Sequence, residues 1–424
     1  MARLVQKFGG TSVADVSKIR KAAEIVVKAA SEGHEVATVV SAMGHTTDHL
    51  IALAEQLTPA VGDRNPREMD MLLATGEQVS IALMTMAIQT LGYEAKSFTG
   101  AQAGIITEGR HGVAKIQEMR TDRLESALAR GEIAVVAGFQ GVTENEELTT
   151  LGRGGSDTTA VALAASLGAD RCDIYTDVRG VYTADPRIVS DARKLPSVSY
   201  EEMLELAATG AQVMNARSVE LAMDNQVSIR VRSTFVPEDV GTLITHRVVS
   251  PEYTIAGISC DMNSAIITLK SLDNATESKP FEGISALFTR LQELGIQTDM
   301  VMVLKHEDEP SQELVFTVEK SALPRVQQLI ESLALSLGNP LMQVETDIAK
   351  VSVVGRRLTN RPEVVAGVFE VLHEASIPVQ MVATGDMRVS ILTPAKNGRE
   401  AVKLIHKRFN LSENPSGSND SINA

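Results

Sequence analysis

Residues 3–12 read Arg-Leu-Val-Gln-Lys-Phe-Gly-Gly-Thr-Ser, and this stretch decides how the first half of the chain is interpreted. Its apolar part, up to Phe8, is typical of a buried strand. Apolar residues then recur at three- and four-residue spacing from Val13 to Ala30, which indicates an amphipathic helix. A strand that ends in glycines and passes at once into a helix is a building unit of parallel α/β sheets.

The same alternation continues to about residue 230. Apolar runs typical of strands occupy 36–41, 133–139, 172–176 and 227–232, and helical patterns cover 67–91, 158–167, 200–208 and 211–224. We therefore predict a three-layer α/β/α sandwich with a mainly parallel sheet. Sheets of this kind bind ligands in loops at the carboxyl ends of their strands, so those loops are the places to look for chemistry.

The pattern changes after about residue 246, where two short segments match each other at a constant offset of 81 residues. The matching pairs are Phe288 with Phe369, Leu291 with Leu372, Ile296 with Ile377, Met300 with Met381, and Val301 with Val382. Each set lies on a predicted helix that is followed by a strand. This internal repeat predicts two small α+β modules. The tail over 412–424 is polar, and we expect it to be disordered.

Composition and charge exclude several classes of protein. The chain has 424 residues, a net charge of −14, 3% aromatic residues and no Trp, so we expect no binding to nucleic acid. No uninterrupted apolar run approaches the ~18 residues of a membrane span, and we expect neither a span nor a signal peptide. The two cysteines, Cys172 and Cys260, form no CxxC pair. These features favour the cytoplasm.

The first glycine loop places Lys7 beside Gly9 and Gly10, with Ser12 at the start of the helix. Glycines let backbone N–H groups approach phosphate oxygens, and a lysine adds a mobile positive charge. The spacing is neither that of a Walker A loop nor that of a dinucleotide fingerprint. Without further evidence, a tight strand-to-helix turn explains this loop equally well.

A second glycine loop, residues 151–157, reads Leu-Gly-Arg-Gly-Gly-Ser-Asp and also precedes a helix. Three glycines in four positions, next to a cation and an anion, are difficult to explain by folding alone. Arg153 can bind a carboxylate with both arms of its guanidinium group. Asp157 could hold a metal ion, orient Lys7, or cap the helix.

A third loop, residues 176–187, starts at a strand end and combines two acids, a tyrosine, a glycine and an arginine. It could enclose a purine and reach its phosphates, or be a long surface loop closed by Asp-Pro. Two smaller features are residues 41–44, which end the second strand, and Gly76-Glu77, which interrupts a helical pattern. His45 and His49 lack a third ligand nearby, so we expect a solvated loop there and no metal held by protein side chains alone.

Taken together and in this order, the motifs resemble the aspartate kinases of the amino-acid kinase superfamily. The segments that carry the resemblance are residues 7–13, 41–43, 75–77, 152–157 and 176–187. The resemblance implies a kinase domain over 1–246 and two ferredoxin-like (βαββαβ) ACT modules. The first module would cover 264–340, and the second would combine 252–260 with 341–411. It also implies the cofactors ATP and Mg²⁺, the substrate L-aspartate, a homo-oligomer formed through the ACT modules, and an amino-acid effector bound there.

The resemblance also implies roles for single residues. Lys7 would stabilise the transferring phosphoryl group, Asp157 would orient Lys7, Glu77 would bind the ammonium group of aspartate, and Arg153 would bind a carboxylate. The other residues on the substrate side are Ser41, Thr47, Gly154, Gly155 and Ser156. Those on the nucleotide side are Lys7, Gly9, Gly10, Ser12, Ser41, Ser156, Thr176, Asp177, Tyr182, Asp185, Arg187 and Gln212.

Several positions depart from the family pattern. Gln212 stands where a lysine often contacts ATP. Residues 299–304 read Asp-Met-Val-Met-Val-Leu, so apolar residues stand where an amide pair commonly holds the effector. Residues 280–283 and 355–358 also differ from the usual glycine turns of the modules. These departures predict that feedback by lysine or threonine is lost or that another effector is used.

Two alternatives remain open from the sequence alone. A kinase of a related amino acid is the first, although Glu77 favours a substrate with a free amino group. A non-catalytic amino-acid sensor is the second. The presence of Lys7, Glu77, Arg153 and Asp157 together argues against the sensor.

Overall fold

The computed structural model describes residues 1–58, 65–211, 213–246, 254–272, 282–305 and 312–412. The prediction for Gln212, the tail from residue 413 onward and the turn at 280–281 lie outside the described residues. The described residues divide into two compact units. The first lies within Met1–Thr183, Arg193–Ala208 and Gln212–Ala256, and the second lies within Ala184–Ala192, Thr209–Ala211 and Gly257–Ala424.

The first unit is built on an eight-stranded sheet and a small four-stranded sheet. Its strands are β1 (Arg3–Phe8), β2 (Glu35–Val40), β3 (Ala95–Phe98), β4 (Ile105–Thr107), β5 (Ile116–Met119), β6 (Ile133–Ala137), β7 (Gln140–Val142), β8 (Leu148–Thr150), β9 (Arg171–Thr176), β10 (Ser197–Ser199), β11 (Ile229–Ser233) and β12 (Thr242–Thr245). Its helices are α1 (Val16–Ser31), α2 (Thr46–Leu57), α3 (Pro66–Leu73), α4 (Thr75–Thr90), α5 (Asp122–Ala129), α6 (Gly155–Ser166), α7 (Tyr200–Ala208) and α8 (Ala216–Asp224).

The large sheet has the strand order β10-β12-β11-β9-β1-β2-β6-β3. Its pairs are parallel except for β11 with β12. Strand β1 lies in the middle, with Lys7 opposite Val39 on one side and Ile174 on the other. The predicted α/β sandwich with a mainly parallel sheet is confirmed.

Side-chain alternation along β1 separates the two helix layers. Leu4 and Phe8 point to a core that they share with α1 and α4. Lys7, of the opposite parity, forms an ion pair with Asp157 of α6, so α6 covers the other face. The side chain of Lys7 therefore lies on the face covered by α6, while the large apolar core lies on the other face.

The helical stretch Pro66–Thr90, which comprises α3 and α4, is long and apolar enough to cross a membrane by length and composition alone. Met84 and Ile88 on α4 are fully buried in the core beside α1. Glu77 on the same helix is also buried. These contacts are those of a core helix.

Two of the helix starts that differ from the sequence prediction lie next to the glycine loops or their contacts. The helix predicted over 211–224 begins only at Ala216, because the side chain of Asn215 accepts a hydrogen bond from the N–H of Arg217 and caps it. The helix predicted over 158–167 begins earlier, at Gly155, so Ser156 and Asp157 lie in its first turn.

The second unit contains two four-stranded sheets. Its strands are β13 (Ile255–Asp261), β14 (Ser264–Leu272), β15 (Val301–Lys305), β16 (Gln312–Glu319), β17 (Leu341–Glu345), β18 (Ile348–Gly355), β19 (Met381–Thr384) and β20 (Arg388–Pro394). Its helices are α9 (Glu282–Glu293), α10 (Leu323–Ser332), α11 (Pro362–Glu374) and α12 (Ala395–Arg408).

Both sheets have the same order if β14 and β18 are each counted as the first strand and β17 and β13 as the fourth. One runs β17-β14-β16-β15, and the other runs β13-β18-β20-β19. In the second sheet the place of the last strand is taken by β13, which precedes the other three in the chain. Met300 and Met381, one of the matching pairs in the sequence, share a buried cluster with Ile266, Ile348 and Leu392. The fold predicted for this half, two ferredoxin-like modules, is confirmed.

Candidate active site

Three loops of the first unit emerge at the same edge of the large sheet, because β1, β2 and β9 are parallel neighbours. Backbone hydrogen bonds join the loops directly beyond the strands. The N–H of Gly9 donates to Tyr175 O at 3.1 Å, and the N–H of Ser41 donates to Phe8 O at 3.1 Å. The predicted loop at 9–12, the loop at 41–44 and the start of the loop at 176–187 therefore lie together.

Gly10 lies where a side chain would collide with the neighbouring loop. A Cβ atom added to Gly10 would lie 3.0 Å from Ala42 O and 3.2 Å from Gly44 O. The N–H of Gly44 donates to Gly10 O at 3.0 Å. The two loops are thus in backbone contact, and a side chain at Gly10 would require the neighbouring backbone to shift.

Lys7 and Asp157 form the charged centre of this edge. Lys7 Nζ lies 2.5 Å from Asp157 Oδ1, and the two side chains are 11% and 13% exposed. A Cβ atom added to Gly9 would lie 3.5 Å from Lys7 Nζ, so the ammonium group stands directly beside the glycine loop. A lysine held in this way presents one positive charge at a fixed point near backbone N–H groups.

The second glycine loop is held in a conformation that favours glycine. Gly152 and Gly154 have φ angles of 76° and 72°. A Cβ atom on Gly154 would lie 2.4 Å from the side chain of Asn215, whose Nδ2 donates to Arg153 O at 3.2 Å. Asn215 therefore fixes the backbone of Arg153 in addition to capping α8. Sequence reasoning did not assign this role, although an Asn before a helical pattern is a capping signal.

Glu77 is a buried carboxyl group with one oxygen that lacks a partner. Oε1 accepts a hydrogen bond from the N–H of Ala42 at 3.0 Å. Oε2 is buried and has no hydrogen-bond partner among the residues that the structure describes. Burial raises the pKa of Glu77 to about 7, although the hydrogen bond from Ala42 acts in the opposite direction. A cationic ligand would satisfy this oxygen and favour the ionised form.

The helix that carries Glu77 packs closely on the loop after β2. A Cβ atom on Gly76 would lie 2.9 Å from the Cβ atom of Ala42. Because Gly76 has no side chain, α4 can lie close to the loop after β2. This close packing lets Glu77 reach the N–H of Ala42. The interruption of the helical pattern by Gly-Glu was the feature of the sequence that indicated this position.

The remaining predicted site residues differ in how far they are buried. Ser41 and Thr47 are half-buried on the loop after β2 and on α2, and Arg153 is exposed. Ser156 is buried against Gly138, where a Cβ atom would lie 2.8 Å from Ser156 Oγ. Gly155 is buried in the first turn of α6.

Ser12 is enclosed by neighbouring residues of the protein. It is fully buried, its hydroxyl group donates to Tyr175 O at 3.4 Å, and it accepts from Thr234 Oγ1 at 2.6 Å. Its N–H donates to Gly9 O at 2.9 Å. These contacts, made with Tyr175, Thr234 and Gly9, stabilise the conformation of the glycine loop.

The third loop is divided between the two units. Thr176 Oγ1 donates to the exposed Asp177 at 3.0 Å. The backbones of Tyr182 and Lys194 form an isolated antiparallel β-bridge, and all four residues belong to the first unit. Asp185 and Arg187 belong to the second unit, where Arg187 donates to both carboxylate oxygens of Asp185 at 2.7–3.1 Å. Their assignment to a nucleotide site stays a prediction.

The pKa of Glu77 predicts how stability depends on pH. Because the folded protein holds this proton up to about pH 7 and the unfolded chain releases it near 4.5, folding stability falls as pH rises between these values. Glu77→Gln removes the penalty. We expect the variant to match the wild type near pH 4 and to be more stable by ~1–3 kcal/mol at pH 8. Thermal melting at both values measures this.

Glu118→Gln is the matched control, because Glu118 is exposed and its pKa is lowered by Arg120. It should show no gain in stability at pH 8. An equal melting difference for Glu77→Gln at both pH values would contradict the assignment of a buried, high-pKa carboxyl group.

Comparisons with known proteins agree with this geometry. The sequence profile described as "Amino acid kinase family" matches residues 2–233, and an "ACT domain" profile matches residues 351–409. The chain is 44% identical over 418 residues to "Aspartokinase 2" of Bacillus subtilis, covering 98% of this chain and all of the relative. It is 43% identical to an aspartokinase of Thermus thermophilus over 97% of this chain and 99% of that one.

Solved structures give the same result. E. coli aspartokinase III in complex with aspartate and ADP superposes with a TM-score of 0.82 at 27% identity, over 96% of this chain and 99% of that one. The same enzyme in complex with lysine and aspartate superposes with a TM-score of 0.72 at 26% identity, over 96% and 99%. The chain therefore belongs to the amino acid kinase family and, within it, to the aspartokinases.

Proposed function

We propose that the site at residues 7–10, 41–47, 77 and 153–157 transfers the γ-phosphoryl group of ATP to the β-carboxylate of L-aspartate, giving 4-phospho-L-aspartate. Glu77 is the residue on which this assignment rests. Its Oε2 is buried and without a hydrogen-bond partner among the described residues, and a ligand with a positive group would complete it. A free α-ammonium group has that charge, and an N-acylated substrate lacks it.

Arg153 supplies the complementary charge for a carboxylate of the substrate. Its backbone is fixed by Asn215, while its side chain is exposed and able to turn toward a ligand. A guanidinium group can bind a carboxylate through two parallel hydrogen bonds. Glu77 and Arg153 would thus hold the amino-acid end of aspartate and leave its β-carboxylate directed at Lys7.

Lys7 would act on the transferring phosphoryl group. A carboxylate and a polyphosphate repel each other, so their reaction requires positive charge between them. Lys7 Nζ stands beside Gly9, and the first turn of α6 adds the partial positive charge of a helix N-terminus. Asp157, at 2.5 Å, would keep the ammonium group in place during the reaction.

A Mg²⁺ ion bound through the nucleotide phosphates would supply further positive charge. Asp157, in the first turn of α6, is an acidic group of this edge that fits such an ion. The backbone of Gly9 and Gly10 would face the phosphates, and Ser12 would support that loop through its contacts with Tyr175 and Thr234. We keep Thr176, Asp177 and Tyr182 as predicted neighbours of the nucleotide. The cytoplasm, where ATP and free aspartate are present, is the proposed location.

Lys7→Met tests the proposed reaction. The loss of a fixed charge that acts mainly in the transition state should lower kcat by at least ~10³-fold. The readout is hydroxamate formed from L-aspartate and hydroxylamine in the presence of ATP and Mg²⁺, with L-glutamate and N-acetylglutamate as parallel substrates. Lys28→Met, at an exposed position in the last turn of α1, is the matched control. Wild-type activity with N-acetylglutamate but not aspartate, or full activity of Lys7→Met, would contradict the proposal.

We further infer that the second unit forms a homo-oligomer through β15. This strand is at the edge of its sheet, and all five of its residues are exposed. The apolar side chains of Val301, Met302, Val303 and Leu304 are 36–48% exposed. An exposed apolar edge strand presents unpaired backbone groups to another chain. A second copy of the same strand would satisfy both the backbone and the apolar side chains.

Val303→Lys should weaken this association, because it places a charge in the centre of the paired edge. In sedimentation velocity the variant should dissociate to a smaller species at higher protein concentration than the wild type. The dissociation constant of the oligomer should rise by at least ~tenfold. Leu335→Lys is the control, since Leu335 is an exposed apolar residue of the same unit, 88% exposed, outside the sheets. The same species for wild type and Val303→Lys at every concentration would exclude β15 as the interface.

We also propose that lysine and threonine do not regulate this chain by the usual contacts. Apolar residues occupy the amide positions of β15. Asp299, directly before this strand, already accepts from Lys350 Nζ at 2.7 Å and Arg388 Nη2 at 2.5 Å. These two cations lower the pKa of Asp299, although its partial burial opposes them, and they occupy its carboxylate.

The expected result is a turnover that falls by less than half in the presence of millimolar lysine, threonine, or both. The hydroxamate assay with increasing effector measures it. Inhibition by half or more under any of these conditions would show that the amide positions of the family are not required here.

A further inference from the structure

We propose that Asp70 is the positioning residue that fixes the spacing between the two aspartate-binding groups, Glu77 and Arg153. Asp70 lies on α3 and is fully buried, and it is the only residue of that helix that is. It is not part of the glycine loops or of the charged centre. Burial of a carboxyl group without a metal or an ion-paired lysine or arginine is costly, so its contacts are informative.

One carboxylate gathers three separate segments of the first unit: its own helix, β8 and the loop around residue 111. Asp70 Oδ1 accepts from Thr150 Oγ1 at 2.5 Å, and Asp70 Oδ2 accepts from His111 Nδ1 at 2.8 Å. The N–H of Gly112 lies 3.1 Å and 3.0 Å from the two oxygens. Both oxygens are therefore occupied by donors from β8 and from the loop around residue 111.

The first of these segments leads directly to Glu77. Helix α3 ends at Leu73, and α4 begins at Thr75, with Ala74 between them. The N–H of Ala74 donates to Asp70 O at 3.0 Å, and Ala74 O accepts from Gln140 Nε2 at 2.9 Å. The first of these two bonds is the ordinary helix bond to the backbone of Asp70. The junction that starts the Glu77 helix is therefore continuous with the helical turn whose position the Asp70 carboxylate sets.

The other two segments lead to Arg153. Thr150 is the last residue of β8, three positions before Arg153, and its carbonyl oxygen accepts from the N–H of Ala114 at 3.0 Å. A Cβ atom on Gly152 would lie 3.1 Å from Gly112 O. The loop that Asp70 holds through Gly112 therefore packs directly against the loop that carries Arg153.

A shift of Asp70 would move Glu77 and Arg153 relative to each other. A substrate held at both ends needs that spacing to within a fraction of an ångström, and small displacements far from the reacting atoms reduce binding or rate. The glycine loop after β1 is joined to Tyr175 and Gly44 instead. The effect should therefore fall on aspartate more than on ATP.

Asp70→Asn is the main test, since it keeps the shape but replaces one acceptor oxygen by a donor that faces other donors. This test rests on the proposed function, and wild-type turnover of aspartate, measured first, tests that function separately. We expect KM for aspartate to rise about tenfold and KM for ATP to change less than about twofold. Thr150→Val, which removes one hydrogen bond without changing the side-chain shape, should raise KM for aspartate about threefold.

The control is Glu202→Gln, a buried carboxyl group that accepts from the N–H of Ser199 at the start of α7. It should lower the melting temperature without changing the ratio of the two KM values. An Asp70→Asn protein that folds with an unchanged KM for aspartate, or with both KM values raised equally, would overturn the proposal. If Asp70→Asn does not fold, Thr150→Val decides: an unchanged KM for aspartate would overturn it in the same way.

Discussion

The ion pair between Lys7 and Asp157 joins the end of the central strand β1 to the first turn of α6, and the geometry of the site depends on it. Both side chains are nearly buried, so the loss of either partner would leave an uncompensated charge in a poorly solvated place. The pair fixes the lysine beside Gly9 and holds α6 with its N-terminus at the same edge. Positive charge is therefore in place before a ligand arrives, which is the arrangement expected where catalysis relies on electrostatic preorganisation.

Glu77 differs from the Lys7–Asp157 pair, because burial in the folded chain disfavours its ionised form. Its helix is packed on the loop after β2 so closely that only Gly76 fits at the contact, and one carboxylate oxygen lacks a partner among the described residues. At pH values above the pKa of Glu77, stability is thus lower than it would be with an uncharged side chain, and a cationic ligand would relieve the penalty. Functional sites often retain such local destabilisation because binding requires it.

The sequence was sufficient for the parallel core and for the loops, because β2 and β6 are mainly apolar, half of the residues of β1 and β9 are apolar, and glycines follow the strands. It was insufficient for β4, β7 and β8, which have only three residues each and no usable periodicity. Asp70 escaped notice for a related reason, because its partners lie 41–80 residues away, in β8 and in the loop around residue 111. Ser12 looked like a phosphate ligand by its position, and only the structure places Tyr175 and Thr234 around its hydroxyl group.

Proton release on aspartate binding tests the central claim, that Glu77 receives the ammonium group of the substrate. Calorimetric titrations in buffers of different ionisation enthalpy measure the number of protons exchanged. Because the pKa of the empty site is about 7, binding at pH 7 should release about half a proton, and the release should disappear above about pH 8.5. Aspartate binding without proton release at pH 7, or with the same release in the Glu77→Gln protein, would contradict the account.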